Sequence, residues 1–241
     1  MSRVNHRLRS LAVLGGFVLS AGFALHQQWT LPELCWSFWL SGLFFCWAFV
    51  LVGGLRLLLL PAGMIPARIR QLPGLANLPA AAWRGLIGLG AIGLSAVMYY
   101  AYARLFGFYG LFLSVFAEME PKVLFGRNGF INSDFYTPVA HLLERYWPMV
   151  LGAIAADLHL AMTGNPWRVP FKPFSLQLLL IHLMVLIVPF VSLFFWWLVR
   201  DRYHAPAVVV ILALFYFFPR PNDSKSSPRA GTPPGEPGNS G

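Results

Sequence analysis

The sequence predicts an all-α membrane protein, a polytopic transmembrane helical bundle of about six spans with cytoplasmic termini and a disordered tail. Three observations carry that expectation. Hydrophobic residues fill 57% of the 241 positions and charged residues only 11%, whereas soluble domains average about 25% charged. The apolar residues gather in runs near the ~20 residues that a helix needs to cross ~30 Å of hydrocarbon. Those runs are continuously apolar rather than alternating, which argues against a transmembrane barrel.

The elements follow in order. Span one covers 11–25, behind Arg3, Arg7 and Arg9. It resembles the start of a signal peptide, but HQQWTLPE offers no small-x-small cleavage site, so it reads as a retained span. Pro32 suits a helix start, and span two runs 34–60, thick with Trp and Phe. Cys35 and Cys46 lie eleven residues apart in it, ~16 Å along a helix and too far for a mutual disulfide. They read as small apolar residues. A Pro-rich connection with Arg68, Arg70 and Arg84 follows.

The third run, 86–119, exceeds one span. It reads as a tilted or kinked helix breaking near Gly107 and Gly110, or a span plus an interfacial half-helix. The glycines of GLIGLGAIGL within it read as a helix-packing face. Span four is 139–162 and span five 176–199. The last run, 205–218, is short for a span. These spans make one domain, 1–219. The remainder, 220–241, is Pro, Gly and Ser rich and too poor in apolar residues to offset chain entropy.

The formal charge of +9 follows the connections. With six spans and a cytoplasmic N-terminus, the inner segments hold Arg3, Arg7, Arg9, Arg68, Arg70, Arg84, Arg168, Lys172, Arg220, Lys225 and Arg229. The outer ones hold Lys122, Arg127, Arg200 and Arg202, with Arg145 just inside that edge. Basic residues collect in cytoplasmic loops, so both termini are expected inside. No long basic run interleaves with aromatics, so nucleic acid is not an expected partner. The expected partners are the lipid bilayer and other membrane subunits.

HLLERYWPMVLGAIAADLHL, from His141 to Leu160, carries ionisable groups through span four. At ~100° per residue, His141, Glu144, Arg145, Pro148, Gly152, Ala155, Ala156 and His159 share one stripe. A stripe polar at its ends and small in its middle should face other helices. Asp157 points elsewhere, toward the inner interface. Counting depth, His141, Glu144 and Arg145 are level with Asp201, and Glu33 and Arg104 also sit toward the outer side. This outer polar cluster reads either as an ion-pair network locking helix ends or as a vestibule for a polar solute or proton path. His159 and His182 fall at similar inner heights. They read as separate hydrogen-bonded histidines, or as a pair able to ligate haem iron or a metal.

Phosphate-binding glycine loops, Cys-x-x-Cys, His-Glu-x-x-His and Gly-x-Ser-x-Gly are all missing from the chain. The leading expectation is therefore a non-enzymatic bacterial inner-membrane protein, an accessory subunit or small transporter-like bundle with a polar outer cavity. The alternatives are a haem- or metal-binding redox protein using His159 and His182, and an intramembrane enzyme on lipid-linked substrates. No cofactor is specified.

Three stretches, ELCWSFWLSGL, NPWRVPFKPFSLQLLLIH and VRDRYH, resemble an uncharacterised family of bacterial polytopic membrane proteins over 33–204. The resemblance implies a helical membrane fold. It assigns no activity, so no site residue is carried over from it.

Overall fold

The computed structural model describes residues 3–59, 79–116, 135–163, 165–174 and 205–217, together with Ile187, Phe190 and Trp197. It is helical, and no strand occurs among the described residues. The helices are α1 (Arg3–His26), α2 (Leu31–Leu58), α3 (Ala80–Phe116), α4 (Tyr136–Thr163) and α5 (Ala205–Phe217), with a 3₁₀ turn at Val169–Phe174 between the last two. Apart from Ile187, Phe190 and Trp197, the fifth predicted span lies outside the described residues, as do His182, Asp201 and the tail.

The centre is α2. It packs on α3, α4 and the 3₁₀ turn, and α1 packs on α4 and α5. Trp39 of α2 meets Phe106 of α3, and Trp47 meets Tyr99, so α2 and α3 are antiparallel. Gly16 of α1 touches Gly152 of α4, and Phe23 meets Trp147, so α1 and α4 are antiparallel too. Trp29, Trp36, Trp39, Tyr102 and Tyr146 are fully buried. A buried indole needs an acceptor, and the Trp39 N–H donates across to the Phe106 carbonyl at 2.7 Å. Cys35 and Cys46 are buried in the same core and are not joined by a disulfide.

Close approach depends on missing side chains. A Cβ at Gly16 would stand 2.9 Å from the Gly152 carbonyl oxygen, and one at Gly53 would stand 2.7 Å from the Pro170 ring. Seated there, the Pro170 carbonyl accepts from the Tyr102 hydroxyl at 3.2 Å.

Two helices, Leu31–Leu58 and Ala81–Ser114, are long and apolar enough to cross a membrane. Their surroundings differ sharply: 67% of the α2 window is buried, but only 17% of the α3 window. Along α3, Leu86, Leu89, Ile92, Val97, Tyr100, Phe108 and Leu111 all face outward. Leu11, Leu14 and Val18 do so on α1, and Val210, Leu214 and Phe217 on α5. The α1 and α5 sets step by three and four residues, one helical stripe each, while the α3 set, with gaps of five and eight as well, covers a broader face.

Several expectations need correction. The α3 helix is one continuous helix of 37 residues, ~55 Å long, with no break at Gly107 or Gly110. Both glycines are buried, so they face neighbouring structure instead of interrupting the backbone. The glycines of GLIGLGAIGL do not form the packing face. A Cβ at Gly85, Gly90 or Gly93 would meet nothing within 4 Å, and one at Gly88 would only touch Leu58 at 3.5 Å. The crossing with α2 is made instead at Gly54, against Ser95. The last helix is short for a span, as read from the sequence, with 13 described residues, ~20 Å against the ~30 Å core.

The polar stripe of α4 is also rotated from its expected position. The core face carries Val139, Leu142, Tyr146, Met149, Ala153, Ala156 and Asp157, all buried. The small middle of the stripe does face other helices, with Pro148 and Gly152 buried and Gly152 against Gly16 of α1, while His141, Glu144, Arg145 and Ala155 are exposed. The reason is competition for the inward face. In the same turns the bulky apolar Val139, Leu142 and Tyr146 pack into the core, which turns the charged triplet outward. Asp157, expected at an interface, is 3% exposed.

Candidate functional site

The site forms where α1 turns into α2. Gln28 takes a positive φ of 52°, the left-handed conformation that reverses a chain after a helix. The Trp29 N–H then donates back to the Ala24 carbonyl at 2.9 Å, which closes the turn. Thr30 caps α2 through a capping box with Glu33, and Pro32 occupies the first turn. The Thr30 amide donates to Glu33 Oε2 at 2.7 Å and its hydroxyl donates at 2.9 Å. This reciprocal arrangement satisfies donors that a helix start leaves orphaned.

The same carboxylate has a second role. Its other oxygen, Oε1, pairs with the Arg145 guanidinium of α4. The Tyr146 hydroxyl also hydrogen bonds to Glu33. The Glu33 side chain is 12% exposed and that of Arg145 50%, so the anion is the more enclosed partner. Tyr146 has non-helical backbone angles (φ −112°, ψ 15°), two residues ahead of Pro148. A proline removes a backbone donor and crowds the preceding turn, which accounts for the kink. Tyr146 is held from the other side by Trp29, whose ring meets it edge-on at 5.0 Å. The Trp29 indole N–H in turn donates to the Gln27 side-chain carbonyl at 2.9 Å.

Above this frame lies an open cleft of about 530 Å³, lined by Gln27, His141, Glu144 and Arg145. The last three share one face, at positions i, i+3 and i+4. The arrangement presents an amide, an imidazole, a carboxylate and a guanidinium to one small volume. With Glu33 neutralising Arg145, the carboxylate of Glu144 leaves the cleft net negative. Such a set suits a polar solute bearing a positive or zwitterionic group.

Among the residues expected in the cluster, Glu33, His141, Glu144 and Arg145 come together, and the ion pair joins Arg145 to Glu33. Arg104 is placed elsewhere. Because Trp39 packs on Phe106, Arg104 lies ~10 Å along the bundle from Glu33. It donates through Nε to the Tyr100 hydroxyl at 2.7 Å and rests over that ring at 4.9 Å. Asp201 and His182 lie outside the described residues, as does the side chain of His159. No group of three or more His, Cys, Asp or Glu with metal-site geometry occurs among the described residues. Gln27 and Tyr146 were not singled out in the sequence. A Gln before a capped helix and a Tyr next to an Arg within an apolar run were the available signals.

Comparisons with protein-family models, with curated proteins and with solved structures gave no match. The resemblance noted above therefore rests on its three stretches of sequence.

Proposed function

We propose that this chain is an integral membrane protein without enzymatic activity, a transporter-like bundle or accessory subunit that receives a polar solute in the cleft at its outer end. The observation that carries this reading is the division of its surface. Large apolar side chains line the outside of α1, α3 and α5, while exposed charge of both signs gathers at the end where α2 begins. In water such a surface would aggregate, because apolar patches beyond a few hundred Å² seek cover. In lipid it is the favoured arrangement, and the cleft then opens at the headgroup level. The six-span count, the cytoplasmic termini and a bacterial inner membrane belong to the same proposal.

The test has two stages. Alkaline carbonate should leave the chain in the membrane pellet. Purified protein is then screened for thermal stabilisation by amino acids and choline-type cations, with dicarboxylates as the expected non-binders. A solute that binds the cleft at 100 times its Kd should stabilise by about 2.7 kcal/mol, and the effect should vanish in Glu144→Gln. Stabilisation that persists in Glu144→Gln and in Arg145→Gln would remove the cleft from the account. A solute-silent protein that co-purifies with one stoichiometric membrane partner would select the accessory role.

A further inference from the structure

A second cavity, of about 610 Å³, lies between α2 and α3. Its walls include Trp47, Ala48, Leu51 and Leu55 on α2, and Ile92 and Ala96 on α3. It exists because the two helices touch at Gly54 and Ser95 and at Leu58 and Gly88, while small residues on either side leave a channel. At its deep end Trp47 stacks on Tyr99, with centroids 4.6 Å apart and planes inclined by 19°. The Trp47 N–H is taken by the Tyr99 carbonyl at 3.4 Å, so the stopper offers no free donor. The groove follows α2 from Phe44 to Leu58, a run of ~21 Å, more than half the ~30 Å hydrocarbon thickness.

The opposite end of the groove is positively charged. Arg84, Gly88, Ala91, Ser95 and Tyr99 follow at steps of three and four, so Arg84 continues the groove-lining face of α3, and it is exposed. The connection between α2 and α3 joins the helices at this same end, and its sequence, 60–78, holds Arg68 and Arg70 with no Asp or Glu. A slot wide enough for one hydrocarbon chain thus ends one helical turn from the exposed Arg84.

We infer that this groove binds an acyl chain of an anionic phospholipid, with Arg84 at its mouth meeting the headgroup phosphate. The inference rests on the membrane reading above. It concerns a different part of the molecule from the polar cleft. Arginine suits phosphate because its planar fork donates two parallel hydrogen bonds. A juxtamembrane basic residue also draws anionic lipid through its charge.

The experiment is native mass spectrometry of detergent-purified protein equilibrated with equal amounts of phosphatidylglycerol and phosphatidylcholine. Wild type should retain one phosphatidylglycerol in preference to phosphatidylcholine. Arg84→Gln should reduce that preference about fivefold, the loss of one surface charge. Ala96→Trp fills the groove from an exposed position and should abolish retention. Leu89→Trp, outward on the same helix but away from the groove, should leave retention unchanged. Equal retention of the two lipids, or retention undisturbed by Ala96→Trp, overturns the inference while leaving membrane integration intact. A dimer in place of retained lipid, dissociated by Ala96→Trp, overturns it in favour of a second copy of the chain. A protein released by carbonate and soluble without detergent instead refutes the membrane reading on which it rests.

Discussion

Neutralising Glu33 should weaken the bundle far more than neutralising Glu144, although both acids sit beside Arg145 in the folded chain. Glu33 is nearly enclosed, and its two oxygens serve the α2 cap and the Arg145 ion pair. Hydrogen bonds to charged groups contribute about 1.5–3 kcal/mol each. Gln at position 33 keeps an acceptor for Thr30 but loses the charge, so Glu33→Gln should cost about 1–3 kcal/mol. Arg145→Gln should cost less, about 1–2 kcal/mol, because Thr30 and Tyr146 still donate to the carboxylate left behind. Half of the Arg145 side chain is exposed, which screens the pair and limits their coupling to about 1 kcal/mol. Glu144→Gln, at an exposed position, should stay within about 0.5 kcal/mol. Reversible unfolding in mixed detergent micelles, run as a double-mutant cycle, gives all four numbers. Losses at 33 and 145 that add to within ~0.3 kcal/mol, or a Glu144→Gln loss equal to that of Glu33→Gln, would refute the pairing.

Other expected outcomes follow from the packing. Gly152→Ala places a methyl group against the Gly16 backbone and Tyr216, and should lower stability by about 1–3 kcal/mol, whereas Gly90→Ala, in open space, should be neutral or slightly stabilising in the same unfolding assay. Thr30→Ala removes the cap of α2 and should cost about 1 kcal/mol, visible as a lowered melting temperature and, by hydrogen exchange, as fraying confined to the first turn. Trp39→Phe takes away the indole that bridges to Phe106 and leaves a gap in the core. A loss of about 1–3 kcal/mol is expected, with a drop in tryptophan emission. Cys35 and Cys46 should resist maleimide until the protein is unfolded, since both are buried.

Much of the architecture was legible in hydropathy and depth. Runs of apolar residues located α1 to α5, and counting residues from the helix ends placed Glu33 and Arg145 at one end of the bundle, where they pair. Azimuth was harder to read. Charge within the α4 run was expected to face inward, yet His141, Glu144 and Arg145 lie on the outward face of turns whose other face is in the core. Large apolar residues such as Leu142, Tyr146 and Met149 take the inward face instead. The α3 glycines misled for a related reason. Small residues permit a close crossing but do not compel one, and the crossing formed at Gly54 and Ser95. Nothing in the local sequence of Glu33 distinguishes a helix cap from an ion-pair partner, and it turns out to be both. The groove between α2 and α3 depends on the register of two antiparallel helices, which no single stretch encodes.

In the proposed arrangement a membrane lies across α2 and α3 between the Glu144 end and the Arg84 end. Single cysteines at those positions, with Cys35 and Cys46 replaced by Ala, can be challenged in intact cells with a membrane-impermeant maleimide. Glu144→Cys should label from outside, and Arg84→Cys only after permeabilisation. Labelling of both before permeabilisation, or both only after it, would contradict a chain that crosses the membrane between them.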